Sequence, residues 1–140
     1  FSRIINYEIM EEQMNFHMAM KKYKDEDFVS QLESGSKHDF IKIILTELHT
    51  NLGILSHCIK NEPKTSPLKS KSFGRSITAL TILMNSLDFE NGEPIASNLF
   101  NLYDYCNKSV LKDYRNLETK GIESSKEVIN EILDAWKQIK

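Results

Sequence analysis

Residues 38–60 read HDFIKIILTELHTNLGILSHCIK, and their spacing decides the fold class. Ile41, Ile44, Leu45, Leu48, Leu52, Leu55 and Ile59 recur at intervals of three and four, which places them on one face of a helix. The period-two alternation of a half-buried strand is missing. Asn61, Pro63 and Pro67 follow and read as the stop. Residues 61–72 then read as a flexible loop. From Lys60 to Arg75 there are five basic residues and one acidic one. That bias reads first as a solvated loop, with a contact to an anion or a partner as the lesser alternative.

The same periodicity extends downstream. Phe73, Ile77, Leu80, Met84 and Leu87 predict a helix over 73–87, and Leu87 to Gly92 reads as a turn. Pro94 suits the first position of the next helix, where a missing N–H costs nothing. Over 94–116, Ile95, Leu99, Leu102, Cys106 and Val110 share one face. Gly121 marks a break, and 122–139 carries Ile122, Ser125, Ile129, Ile132, Trp136 and Ile139 in a three-four pattern. Upstream, Ile5, Ile9 or Met10, Met14 and Met18 predict a helix over 3–21, joined by a polar connection at 24–37. The fold class is therefore all-α: an antiparallel up-and-down four-helix bundle with an additional N-terminal helix or segment. A spacing near 3.5 residues favours crossing angles of about 20°.

The 140 residues suit one domain, and 5 Gly with 3 Pro leave few helix breakers. A net charge of −2 supplies no field to draw nucleic acid or anionic lipid. No run approaches the roughly 18 apolar residues of a membrane span. Glu8, Glu11 and Glu12 interrupt any signal-peptide core in 1–22. Cys58 and Cys106 lie inside helical patterns and read as buried, reduced thiols, so the cytoplasm is the expected compartment.

Little in the chain reads as catalysis. His49 and His57 are two turns apart, and no histidine or carboxylate fills the four-residue spacing of a helical metal site. The glycines are scattered, and neither cysteine sits at a helix start or in a Cys-X-X-Cys pair. Asp104 lies between two tyrosines in SNLFNLYDY (97–105) without a second acid–base group in sight. It reads as structural, bonded to a neighbouring helix or loop. No enzyme, cofactor or metal is expected. Phe100, Tyr103, Tyr105, Tyr114 and Trp136 crowd the last two helices. They either fill the core or present a second apolar face to a partner.

LDFENGEPIASNLFNLYDY (87–105), with AWKQI (135–139) thirty residues later, resembles the FliS family of flagellar export chaperones for flagellin. The resemblance rests on Ser86-Leu87-Asp88, on Gly92 to Ala96, on Asn98-Leu99 and on Leu102 to Tyr105. Upstream, SGSKHDFIKII (34–44) is similar to the family's Ala-Ser-Pro-His segment, with Lys37 where proline is usual. Thr46-Glu47-Leu48 stands near the family's Leu-Tyr-Asp-Gly, and the 61–72 connection is longer and more basic. The likeness divides the chain into an extra segment at 1–22 and a bundle at 23–140.

The resemblance implies a cytosolic bundle that binds the C-terminal segment of flagellin. Binding would prevent premature polymerisation and assist delivery to the flagellar type III secretion apparatus. An export-gate component or a regulatory protein is a further expected partner; nucleic acid and membrane insertion are not. Ile95, Leu99, Phe100, Leu102 and Tyr103 are the expected partner-binding residues, with Leu99, Leu102 and Cys106 pointing inward and Tyr103 lining a groove near Phe100 and Ile95. Tyr23 is expected to cap the empty groove. The competing reading is a helical adaptor that sequesters another secretion substrate or a regulatory protein.

Overall fold

Four helices carry the described residues, 37–62 and 66–139 of the computed structural model. They are α1 (Lys37–Asn61), α2 (Pro67–Asn85), α3 (Ile95–Asn116) and α4 (Lys120–Lys137). Helix α1 packs on α2 and α4, and α3 closes the ring by packing on α2 and α4. The expected helix at 3–21, the connection at 24–36 and Tyr23 lie outside the described residues.

The apolar stripe of α1 is the spine of the core. Ile41, Ile44, Leu45, Leu48, Leu52 and Leu55 are essentially inaccessible, and Ile59 packs against them from the edge. Leu80, Leu83, Tyr103, Cys106, Val110, Ile122, Ile129 and Trp136 meet them from the other helices. Near one end, the Trp136 indole N–H donates to the His38 carbonyl at 3.1 Å, and the two rings stack at 5.4 Å.

One boundary differs from the sequence reading. Residues 67–72 belong to α2 rather than to a loop. Pro67 does not end α1; it occupies the first turn of α2, where its fixed φ suits a helix start. Ser66 is the N-cap, its hydroxyl accepting the Lys69 N–H at 3.3 Å. A Ser-Pro pair between two apolar stripes is a start signal as much as a stop signal.

Helix α3 begins one residue after Pro94, which serves as its N-cap. Glu93 accepts the Ser97 backbone N–H at 2.7 Å, supplying the cap bond that proline's side chain cannot make. The helix ends at Leu117, which adopts the left-handed conformation with φ 56° and donates its N–H to the Asp113 carbonyl. The buried Asp113 carboxylate then accepts the Ile122 N–H at 2.8 Å, in the first turn of α4. Thr119 makes no side-chain cap, so an acid from the preceding helix takes that role.

Candidate functional site

The candidate site is read from two apolar stripes, one on α3 and one on α4, helices that pack on each other. On α3, Ile95 and Leu102 are 50% and 39% exposed, while Leu99 is half-buried against the core. Their i, i+4, i+7 spacing sets them in one line. On α4, Val128, Ile132, Ala135 and Ile139 repeat the same spacing at the helix edge and just beyond its end. Val128 and Ile139 are half-buried, Ala135 is exposed and Ile132 is buried.

Two contacts fix the register of the pair. The Cys106 thiol lies 4.0 Å from the Ser125 carbonyl, and Asp113 holds Ile122. Continued antiparallel along both helices, this register brings Leu102 and Leu99 beside the Val128–Ile132 turn and Ile95 toward Ile139. We read this seam, with apolar side chains along both helices, as a candidate furrow.

The expected partner-binding residues divide three ways. Ile95, Leu99 and Leu102 share the furrow. Phe100 lies on the opposite flank of α3, edge-on to Phe89 of the preceding turn at 5.9 Å. Tyr103, expected to line a groove, is 2% exposed and belongs to the core. Leu102, expected to point inward, points out. The physical reason is a rotation of the buried arc. Tyr103, Cys106 and Val110 form a three-four stripe as good as Leu99, Leu102 and Cys106, and the two share Cys106. Packing against α2 selects the first: Phe73 and Tyr114 stack at 3.7 Å, drawing the Tyr103 side of α3 inward.

Sequence reasoning missed Val128 and Ala135, the α4 half of the furrow. Their signal was present as a second i, i+4, i+7 line, but the stronger Ile129–Ile132–Trp136 stripe overshadowed it. Asp104 was expected to bond a neighbouring element. Instead it pairs with Lys108 on its own helix at 2.8 Å, the ordinary i, i+4 surface arrangement.

The remaining polar chemistry is modest. An open cleft of about 540 Å³ between α1 and α4 is lined by His49, Glu123, Lys126, Glu127, Asn130 and Glu131. Burial, then the nearby Lys126, holds the His49 imidazole below its usual range. The Ser56 hydroxyl, 2.9 Å from Glu123, holds that carboxyl low. His57 is exposed and lies 3.3 Å from the Asn61 amide. Among the described residues no three His, Cys, Asp or Glu side chains are grouped to hold a metal ion. Both cysteines are buried and free, and burial pushes the Cys106 thiol up to about 11. No described helix is long and apolar enough to cross a membrane. Ile95 and Leu102 leave apolar area exposed on α3.

The family of the flagellar protein FliS matches residues 19–140, nearly the whole chain. This chain belongs to the FliS family. It is 25% identical over 125 residues to the flagellar secretion chaperone FliS of Vibrio cholerae, covering 86% of this chain and 88% of that one. It is 27% identical over 122 residues to the flagellar secretion chaperone FliS of Salmonella typhimurium, covering 86% and 89%. The flagellar secretion chaperone FliSB of Pseudomonas aeruginosa is 23% identical over 118 residues, covering 84% and 92%. The FliS match spans all four helices, so both walls of the furrow fall within it.

Proposed function

We propose that this protein is a cytoplasmic flagellar secretion chaperone whose α3–α4 furrow receives the C-terminal segment of flagellin. By occupying that segment it prevents premature polymerisation and assists delivery to the flagellar type III secretion apparatus. The observation that carries this reading is the pair of stripes, Ile95–Leu99–Leu102 and Val128–Ile132–Ala135–Ile139, whose outer members no described element covers. An amphipathic tail laid in such a trough buries its own apolar face and theirs together. A tail that is unfolded when free gains order only on binding, so it can be held firmly and still be released. Family membership supports the reading, because the relatives bear the name of flagellar secretion chaperones.

Calorimetric titration with a synthetic flagellin C-terminal peptide tests it. Saturable 1:1 binding is expected. Leu102→Glu, which sets a charge on the furrow floor, is expected to abolish binding while the bundle stays folded. Absence of heat with the native protein, or unchanged affinity in the Leu102→Glu variant, overturns the assignment.

A further inference from the structure

Away from the furrow, the turn between α2 and α3 carries an aromatic pair that stays open to solvent. Phe89 is 48% exposed and Phe100 37%, and their rings meet edge-on at 5.9 Å. The pair sits on the α2 flank of α3. Phe100, Asn107 and Tyr114 recur every seven residues and so share one line of that helix, and Tyr114 stacks on Phe73 of α2. Cys106 and Asp113, which hold α4, lie on the other side.

The turn that presents Phe89 is tied down from within. The Asp88 carboxylate accepts the Glu90 and Asn91 backbone N–H groups at 3.0 and 3.1 Å, and the Asn91 side-chain amide at 3.1 Å. Gly92 donates its N–H to the Asp88 carbonyl at 2.8 Å. Leu87 before the turn and Ala96 after it are buried, which pins both ends. An aromatic ring on a fixed turn loses little entropy when a partner covers it, and aromatic anchors carry much of the energy of small interfaces.

The charge around the pair has one sign. From residue 76 to residue 107 the chain carries Asp88, Glu90, Glu93 and Asp104 and no Lys or Arg. Lys108 neutralises Asp104 at 2.8 Å. Asp88 and Glu93 accept from neutral donors alone, the backbone, Asn91 and Ser97, and keep their charge. Together with Glu90, which makes no ion pair among the described residues, they put three carboxylates beside Phe89.

We infer that the Phe89–Phe100 patch docks a second protein partner through a segment that sets aromatic or leucine side chains among lysines and arginines. The apolar side chains cover the two rings, and the cations meet Asp88, Glu90 and Glu93. Three carboxylates repel phosphates, which disfavours nucleic acid and anionic lipid. Two part-exposed rings offer far less than the roughly 800 Å² per partner of a standard stable interface. That area suits a transient visitor rather than a second copy of this chain. Patch and furrow lie on opposite flanks of α3, so both can be filled at once.

The test titrates the full chain into a short fluorescent peptide in which phenylalanine and leucine stand among lysines, and reads anisotropy at low salt. A counterpart with glutamates in place of the lysines is the control. Saturable binding of the lysine peptide is expected, unchanged by a saturating flagellin C-terminal peptide, with none for the glutamate peptide. Phe89→Ser is expected to weaken binding by about tenfold. Glu90→Lys is expected to weaken it severalfold, a loss that disappears at about 1 M salt. Both substitutions are on exposed side chains, so melts by circular dichroism are expected to match the parent. No saturable binding, equal affinity for the two peptides, unchanged affinity in Phe89→Ser, or displacement by the flagellin peptide overturns the inference. Sedimentation of the protein alone is the second arm. Phe89→Ser is expected to leave its mass unchanged, and a dimer that this substitution dissociates overturns the inference in favour of a second copy.

Discussion

Replacing Tyr103 and its neighbour Leu102 by alanine separates the core of this bundle from its furrow within two adjacent residues. Tyr103 is 2% exposed and stands among the largest fully buried side chains. Truncating a buried aromatic ring to alanine costs about 3–5 kcal/mol, the lost transfer energy plus the cavity left behind. Total stability of a domain this size is about 5–15 kcal/mol, so Tyr103→Ala removes a large share. At about 3–5 °C per kcal/mol for this length, the thermal midpoint is expected to fall by about 10–20 °C. Leu102 is 39% exposed, so the same truncation gives up only part of the roughly 1.5–3 kcal/mol of a fully buried leucine. Its cost to stability is expected to be about 1 kcal/mol. On the proposed function the binding order is the opposite: Leu102→Ala is expected to weaken the flagellin peptide, and Tyr103→Phe to leave both properties nearly unchanged, since no described group hydrogen-bonds the Tyr103 hydroxyl. Thermal melts by circular dichroism and peptide titration on the three variants decide it. If Tyr103→Ala melts within a few degrees of the parent and loses peptide binding, α3 is turned the other way about its axis and the core assignment of Tyr103 is wrong.

Gly74 and Gly121, both helical, are expected to respond with opposite sign. A Cβ at Gly74 meets nothing within 4 Å, so Gly74→Ala gains about 0.5–1 kcal/mol from helix propensity in denaturant titration. A Cβ at Gly121 meets the Asp113 carboxylate at 3.0 Å and Ser109 Cβ at 3.2 Å, so Gly121→Ala is expected to destabilise by displacing the acid that caps α4. Glu123 is held low first by the Ser56 hydroxyl. Its contribution is therefore present above the ordinary glutamate value and is lost as pH falls through the lower, folded one. Thermal midpoints measured from pH 6 downward are expected to decline below about 4.5, less steeply in Ser56→Ala. Cys58 and Cys106 are expected to resist a thiol reagent in native buffer and to titrate as two thiols in denaturant.

Particular elements show how legible this protein was. Three of the four described helices have the expected limits to within two residues, because long apolar stripes fix a helix whatever surrounds it. Helix α2 begins six residues earlier than expected, because Pro63 and Pro67 were read only as terminators while Ser66 and Pro67 form a start. The furrow was half visible: Ile95, Leu99 and Leu102 were named, Val128 and Ala135 were not.

Periodicity, breaker placement and the 87–105 motif determined from the sequence alone that this is a helical bundle of the FliS kind. The tertiary structure decided which part of each helix faces inward. A stripe repeating every three or four residues states that a helix has an apolar side, but two overlapping stripes on α3 are equivalent until neighbours arrive. Only the packing of α2 and α4 against it turned Tyr103 into the core and left Leu102 on the surface, because burial is a property of what lies opposite a side chain.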